Sequence, residues 1–200
     1  MIGPVTLLEG DFVRLEPLRA DHHGSLCAVG LDPDLWRWAP QQILTGEAMM
    51  SYVQSALRGA EEGRFIPFAI VLRETARVVG STRFGTIDRE NRRVEIGWTW
   101  IAEPWQRTAV NTETKLLMLR HAFDVWHCLR VEFKTDRLND RSRAALLRLG
   151  AREEGTLRSH MVTATGRVRD SVYFSIIEEE WPGVRDSLVW KLGCGSRRST

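Results

Sequence analysis

Apolar and polar residues alternate over 12–18 (FVRLEPL), the period of two that marks a half-buried strand. The spacing then lengthens, and 21–31 and 46–62 read as helices. Thr45 is placed to cap the second, which runs out near Gly63. Between them Asp32 to Pro40 holds two prolines and two tryptophans and reads as an irregular loop. Residues 65–72 (FIPFAIVL) form a strand in which Pro67 points to an edge or an early position. After a short turn at 74–77, strands 77–88 (RVVGSTRFGTID) and 92–101 (RRVEIGWTWI) complete an antiparallel meander, with Gly80 and Gly85 as candidate bulges.

The period then becomes helical. From Val110 to Trp126 the residues Leu116, Leu119, Ala122, Phe123 and Trp126 share one face, and Asn111 or Thr112 can cap the start. Strand 130–136 (RVEFKTD) follows. Helix 140–149 opens after Asn139 and closes on Gly150. Two closing strands, 151–158 and 168–177, are joined by a loop containing Gly166, and 179–192 reads as a last helix. The order predicts one α+β domain over 1–192 with a mixed, mostly antiparallel sheet flanked by helices, and a flexible tail over 193–200.

Composition narrows the class. Hydrophobic residues make up 43% and charged residues 27% of 200, which excludes wholesale disorder. Net charge is +2, too balanced for electrostatics alone to predict a nucleic-acid binder. Only Lys115, Lys134 and Lys191 are lysines among 28 basic residues, a bias that fits a GC-rich bacterial genome. No apolar run approaches the roughly 18 residues of a membrane span, and the first residues carry no secretory pattern. Cys27, Cys128 and Cys194 are isolated, without metal-ligand or CxxC spacing. A reducing cytoplasm, no membrane partner and no metal are the resulting expectations.

The chemistry concentrates in Glu95–Lys115, where a strand runs through a short loop into a helix. Unpaired N–H groups and the positive end of a helix dipole then converge on one spot, which suits a phosphate or pyrophosphate. The stretch resembles the acetyl-coenzyme A signature of the GNAT N-acetyltransferase family, Q/R-x-x-G-x-G/A. Gln106 matches its first position, Ala109 the glycine and Asn111 the last small residue. The preceding EIGWTWI, the Pro104–Trp105 doublet, the N139-D-R-S142 block running to Gly150, and the closing GRVRDSVYFSI resemble the RimJ/RimL-like (ribosomal-protein N-acetyltransferase-like) branch.

The resemblance implies a GNAT-like (acyl-CoA N-acyltransferase) fold whose sheet is splayed between its fourth and fifth strands, 92–101 and 130–136. It implies that the edge at Trp100 and Ile101 pairs with the pantetheine arm of acetyl-CoA by strand addition. Gln106, Arg107, Thr108, Ala109, Val110 and Asn111 would hold the pyrophosphate, and Asn139 would bond the arm. The function implied is acetyl transfer to a primary amine, a protein N-terminus or a small molecule, by direct attack in a ternary complex. Glu95 is then the general base, or else a surface carboxylate paired with Arg93 or another arginine. Ser142 is a donor to the departing thiolate, or else the cap of helix 140–149. The tyrosine common in the family falls on Leu146 here. If Ala109 needs a positive φ, the strain is about 1–2 kcal/mol.

Trp36, Trp38, Trp98 and His160 are candidates for the acceptor pocket, with plain core packing as the alternative for each tryptophan. Trp98 and Trp100 are two apart and share one face of their strand. Loop 32–42 is the candidate acceptor wall. His22 and His23 read as solvated, His121 and His127 as core-edge or helix-end residues, and Cys128 as a small core residue. Arg141 and Arg143 are candidates for the 3′-phosphate or for a solvated helix face. A catalytically inactive acyl-CoA-binding module is the alternative function. A homodimer is expected by resemblance only.

Overall fold

The computed structural model describes residues 2, 3 and 5–196. Eight strands form one sheet: β1 (Leu8–Glu9), β2 (Val13–Pro17), β3 (Ile66–Leu72), β4 (Val78–Asp88), β5 (Arg93–Ile101), β6 (Arg130–Asp136), β7 (Arg152–Val162) and β8 (Val168–Ile177). Their spatial order is β1-β2-β3-β4-β5-β6-β8-β7. Every neighbouring pair is antiparallel except β5–β6. Parallel strands need a crossover, and the long helix between β5 and β6 supplies it.

That helix, α4 (Ala109–Arg120), is capped by Thr108, whose Oγ1 accepts from Val110 N–H and donates to the Trp105 carbonyl. Neither expected cap, Asn111 nor Thr112, is used; the helix begins earlier than its apolar period. It continues into a π-helical turn at His121–Val125. Glu113 anchors α4 to the β1–β2 turn by accepting from the N–H groups of Asp11 (2.7 Å), Phe12 (2.7 Å) and Val13 (2.6 Å). β1 itself was not legible in the alternation.

Two cores flank the sheet. One face packs Phe68, Phe84, Val94, Ile96, Phe133 and Phe174 against α4 and the last helix. The opposite face packs Ala69, Val71, Val78 and Trp100 against α1 (His23–Gly30) and α3 (Gly46–Glu61). Thr45 Oγ1 caps α3 by accepting from Ala48 N–H. The segment expected as an irregular loop contains a short helix, α2 (Pro33–Trp36), with Asp32 accepting from Asp34 N–H. α5 (Asp140–Leu149) ends on Gly150 at φ 103°, a left-handed position that glycine alone adopts without strain.

β7 runs to Val162, four residues beyond its expected end, and forms the outer edge of the sheet. The last helix, α6, spans Trp181–Ser196, and the end of the tail expected over 193–200 lies outside the described residues. Among the described residues no helix is long and apolar enough to cross a membrane. Bulges lie beside both marked glycines, at Val79 next to Gly80 and at Thr86–Ile87 after Gly85. His22, expected to be solvated, is buried, and its Nδ1 accepts from Arg19 N–H; burial lowers its pKa. Cys128 is a core residue whose thiol burial pushes up to about 11.

Candidate active site

The parallel ladder between β5 and β6 has three rungs, Arg93–Arg130, Val94–Val131 and Glu95–Glu132. Beyond Glu95 the strands part, leaving Ile96–Ile101 and Phe133–Asp136 without each other as partners. The splayed sheet implied by resemblance is therefore present at that pair of strands. Its apex is Glu95.

Glu95 is only 4% exposed. Its carboxylate is held at one oxygen: Oε2 accepts from Thr86 Oγ1 (2.9 Å) and from Lys134 Nζ (3.0 Å). Oε1 has no hydrogen-bond partner among the described residues and lies over Gly97, where an added Cβ would stand 2.9 Å from it. Neither Arg93 nor another arginine pairs with Glu95; Arg93 instead bonds Asp88 and Glu132. Lys134 was missed at the sequence level, although the alternation of 130–136 puts it on the same face as Glu132.

Cross-strand register extends this face. Lys134 opposes Tyr173 and Asp136 opposes Ser171. His160 Nδ1 lies 3.0 Å from Ser171 Oγ, and its ring packs edge-on to Tyr173. α1 and α3 contact β4 and β3 on this face. Over β6 and β8 the face is polar. Its wall is the chain after α2: Pro40 carbonyl accepts from Ala164 N–H, and Arg167 stacks on Trp38 while bonding Asp136. Loop 32–42 thus bridges to the β7–β8 turn.

The tryptophans divide. Trp36 is a core residue, its ring set against Tyr52 and Trp100 and its Nε1–H given to the Gly30 carbonyl. The Trp100 side chain is also buried there, donating to Tyr52 Oη. Trp98 sits in a bulge of β5 with φ 52° and is partly exposed, packed on Phe65 and over Gly85.

On the other side of the cleft, the loop before α4 is built differently from expectation. Positive φ falls on Arg107 (61°) and not on Ala109, which is the first helical residue. Gln106 donates to the Ile101 carbonyl (2.8 Å) and accepts from Arg141 (2.7 Å). Asn139 Oδ1 caps α5 by accepting from Ser142 N–H, so the Ser142 hydroxyl is not the cap. Leu146 is buried. The first N–H groups of α4 have no carbonyl one turn back, and Thr108 satisfies only that of Val110. An open strand edge above a helix N-terminus fits the amide arm and diphosphate of acetyl-CoA.

Residues 13–152 match the family model described as the Acetyltransferase (GNAT) domain. The chain belongs to the GNAT acetyltransferase family. It is an acetyltransferase, and its relatives are consistent with the RimJ/RimL-like branch. The N-acetyltransferase p20 of Bacillus licheniformis is 32% identical over 172 residues, covering 86% of this chain and 96% of p20. YdaF of Bacillus subtilis, which carries the provisional name ribosomal N-acetyltransferase, is 32% identical over 104 residues, 52% of this chain and 56% of YdaF. The structure of Mycobacterium smegmatis RimJ in complex with CoA-disulfide superposes with a TM-score of 0.78 at 27% identity, covering 94% of this chain and 93% of RimJ.

Proposed function

We propose that this GNAT protein transfers the acetyl group of acetyl-CoA to a primary amine, with Glu95 as the general base. Acetyl-CoA supplies an acetyl group activated as a thioester. The open edge of β5 would take the pantetheine arm, with its contacts at Trp100 main chain and Asn139, and the loop Gln106–Asn111 would take the diphosphate. The observation that carries the reading is the half-satisfied carboxylate of Glu95 at the apex of the split. Two donors fix Oε2, and Oε1 is left to accept a proton.

Only a neutral amine can attack, so the ammonium proton must leave before or during bond formation. Glu95 accepts it, directly or through a water. The new N–C bond forms as the C–S bond breaks, and the thiolate leaves as a good leaving group, with Ser142 as the candidate donor. Lys134 keeps the carboxylate in place, and Gly97 keeps its free oxygen uncovered. The polar basin walled by Trp38 and His160 is where the acceptor would lie. The acceptor is a protein N-terminus or a small-molecule amine, and the ribosomal N-acetyltransferase name that YdaF carries supports a protein acceptor.

The test is release of free thiol from acetyl-CoA with a panel of N-terminal peptides and small amines. Amine-dependent release, with acetylated product by mass spectrometry, is expected. Calorimetric binding of CoA with no amine-dependent release would overturn the reading in favour of an inactive acyl-CoA-binding module.

A further inference from the structure

Arg83 lies in the middle of β4 on the same face as Glu95, and it is 3% exposed. Its Nε is buried without a hydrogen-bond partner. Among the described residues no carboxylate lies within ion-pair distance of it. Its guanidinium is bracketed by three rings, with Cζ 4.4 Å from the centroid of Tyr52, 5.4 Å from Phe65 and 5.7 Å from Trp98. The other cations of this face each meet a carboxylate: Lys134 meets Glu95, and Arg167 and Arg169 meet Asp136.

Aromatic faces attract a guanidinium but accept few of its N–H bonds. A cation so deeply buried with its fork unfilled is costly unless an anion completes it. The position of the fork matters. The Trp98 ring has Arg83 at 5.7 Å and Lys134 Nζ at 5.8 Å from its centroid, and Lys134 touches Glu95. One indole therefore packs against both Arg83 and the lysine that holds the proposed base. The Trp98 bulge and the absence of a side chain at Gly85 put that indole there; a Cβ on Gly85 would stand 2.5 Å from it. Backbone strain of this kind gathers where a side chain must be re-aimed.

We propose that Arg83 binds a carboxylate carried by the acceptor, so that the preferred substrates are amines that also carry an acidic group. This rests on the acceptor lying beside Glu95, as proposed above. A planar, bidentate fork suits a carboxylate better than a neutral amide. The carboxylate can come from an acidic residue near a peptide N-terminus or from a free amino carboxylate.

Two shape-matched pairs that differ in charge separate these sources: a C-terminally amidated tripeptide with Asp or Asn at its second residue, and β-alanine or its amide. With acetyl-CoA saturating, kcat/KM of the acidic member of at least one pair is expected to exceed its neutral partner by tenfold or more. In Arg83→Gln that ratio should fall toward one, and Arg83→Lys should keep part of it. Equal rates within both pairs, or a preference that survives Arg83→Gln, would overturn the proposal. CoA affinity and melting temperature check that each variant is folded, and the wild-type pairs stand without them. A readout independent of turnover is calorimetric binding of the N-acetylated Asp tripeptide and of N-acetyl-β-alanine to the CoA complex. The favoured ligand should bind at least tenfold more weakly to Arg83→Gln, with Arg83→Lys in between. Binding that depends on Arg83 without any turnover would sink the acetyl-transfer reading and keep this one. Turnover without charge preference would do the reverse.

Discussion

Lys134 Nζ lies 3.0 Å from Glu95 Oε2, and the two strands that carry them share no rung beyond Glu95. The pair thus bridges the sheet where its hydrogen bonding stops. Lys134 is the more exposed partner, with 24% of its side chain accessible against 5% for Glu95. Loss of the Glu95 charge therefore leaves a cation that water can reach.

Glu95→Gln keeps the shape and an oxygen that accepts from Thr86, but it removes the proton acceptor. General-base catalysis is worth roughly 10²–10⁴-fold. The expected result is a fall in kcat of about 10²-fold or more with CoA affinity unchanged, read by thiol release and calorimetry. A fall in CoA affinity with kcat intact would assign Glu95 to cofactor binding instead.

The phosphate loop gives a second contrast. Arg107 holds φ 61°, whereas Ala109 is already helical. A left-handed residue other than glycine costs roughly 1–2 kcal/mol, part of which the greater freedom of glycine in the unfolded chain offsets. Arg107→Gly is expected to stabilise the protein by about 0.5 kcal/mol, some 1–2 °C in melting temperature. Ala109→Gly should destabilise it slightly. The reverse order would place the strain at Ala109.

Much of the fold was readable because a period of two runs through β2 and β6 and one of 3.6 through α3 and α5, while β3 stands out as an unbroken apolar run. The split was reached through resemblance, since no local pattern shows where a ladder stops. Glu95 was singled out through the same resemblance. Its partner was not: Lys134 is 39 residues away, joined by a parallel pairing that sequence spacing does not encode. Arg83 had a local signal, a charge inside RVVGSTRFGTID, but its unpaired state is a property of tertiary packing. Trp36 and Trp98 looked alike as aromatic candidates, and only the bulge and the α3 contact separate rim from core. The Thr108 cap was hidden because Asn111 and Thr112 are equally good capping types.

Glu113 supplies a stability prediction from the second turn of α4. Its two oxygens accept three backbone N–H groups of residues 11–13, and an added Cβ at Gly10 would stand 2.4 Å from its carboxyl carbon. Glu113→Ala leaves these donors without their acceptor, at a cost of about 3 kcal/mol. Glu113→Gln should cost somewhat less, because one oxygen remains. Urea denaturation measures both, and a loss below about 1 kcal/mol for Ala would show that water replaces the carboxylate freely.

Lys115 makes stability depend on pH. Its side chain is buried beneath the cleft, with Nζ 2.7 Å from Thr99 Oγ1 and 5.8 Å from the Phe133 ring centroid, and no carboxylate pairs with it among the described residues. Loss of hydration lowers its pKa from 10.5 to about 7. Below pH 7 the lysine is protonated in both the folded and the unfolded chain, and the fold bears the full cost of a buried ammonium. Between pH 7 and 10.5 the unfolded chain binds the proton that the folded chain has released, so stability rises with pH. Above 10.5 the group is neutral in both states and the cost has gone. Lys115→Met removes the charge and roughly preserves the volume, while Thr99 keeps its bond to Thr82. The variant should therefore be more stable than the parent below pH 7, by up to about 5 kcal/mol. That advantage should shrink steadily as pH rises toward 10.5. Urea denaturation of both proteins at pH 6, 8 and 10 reads the difference, and an increment that did not change with pH would show that Lys115 keeps its charge, or its ordinary pKa, in the fold.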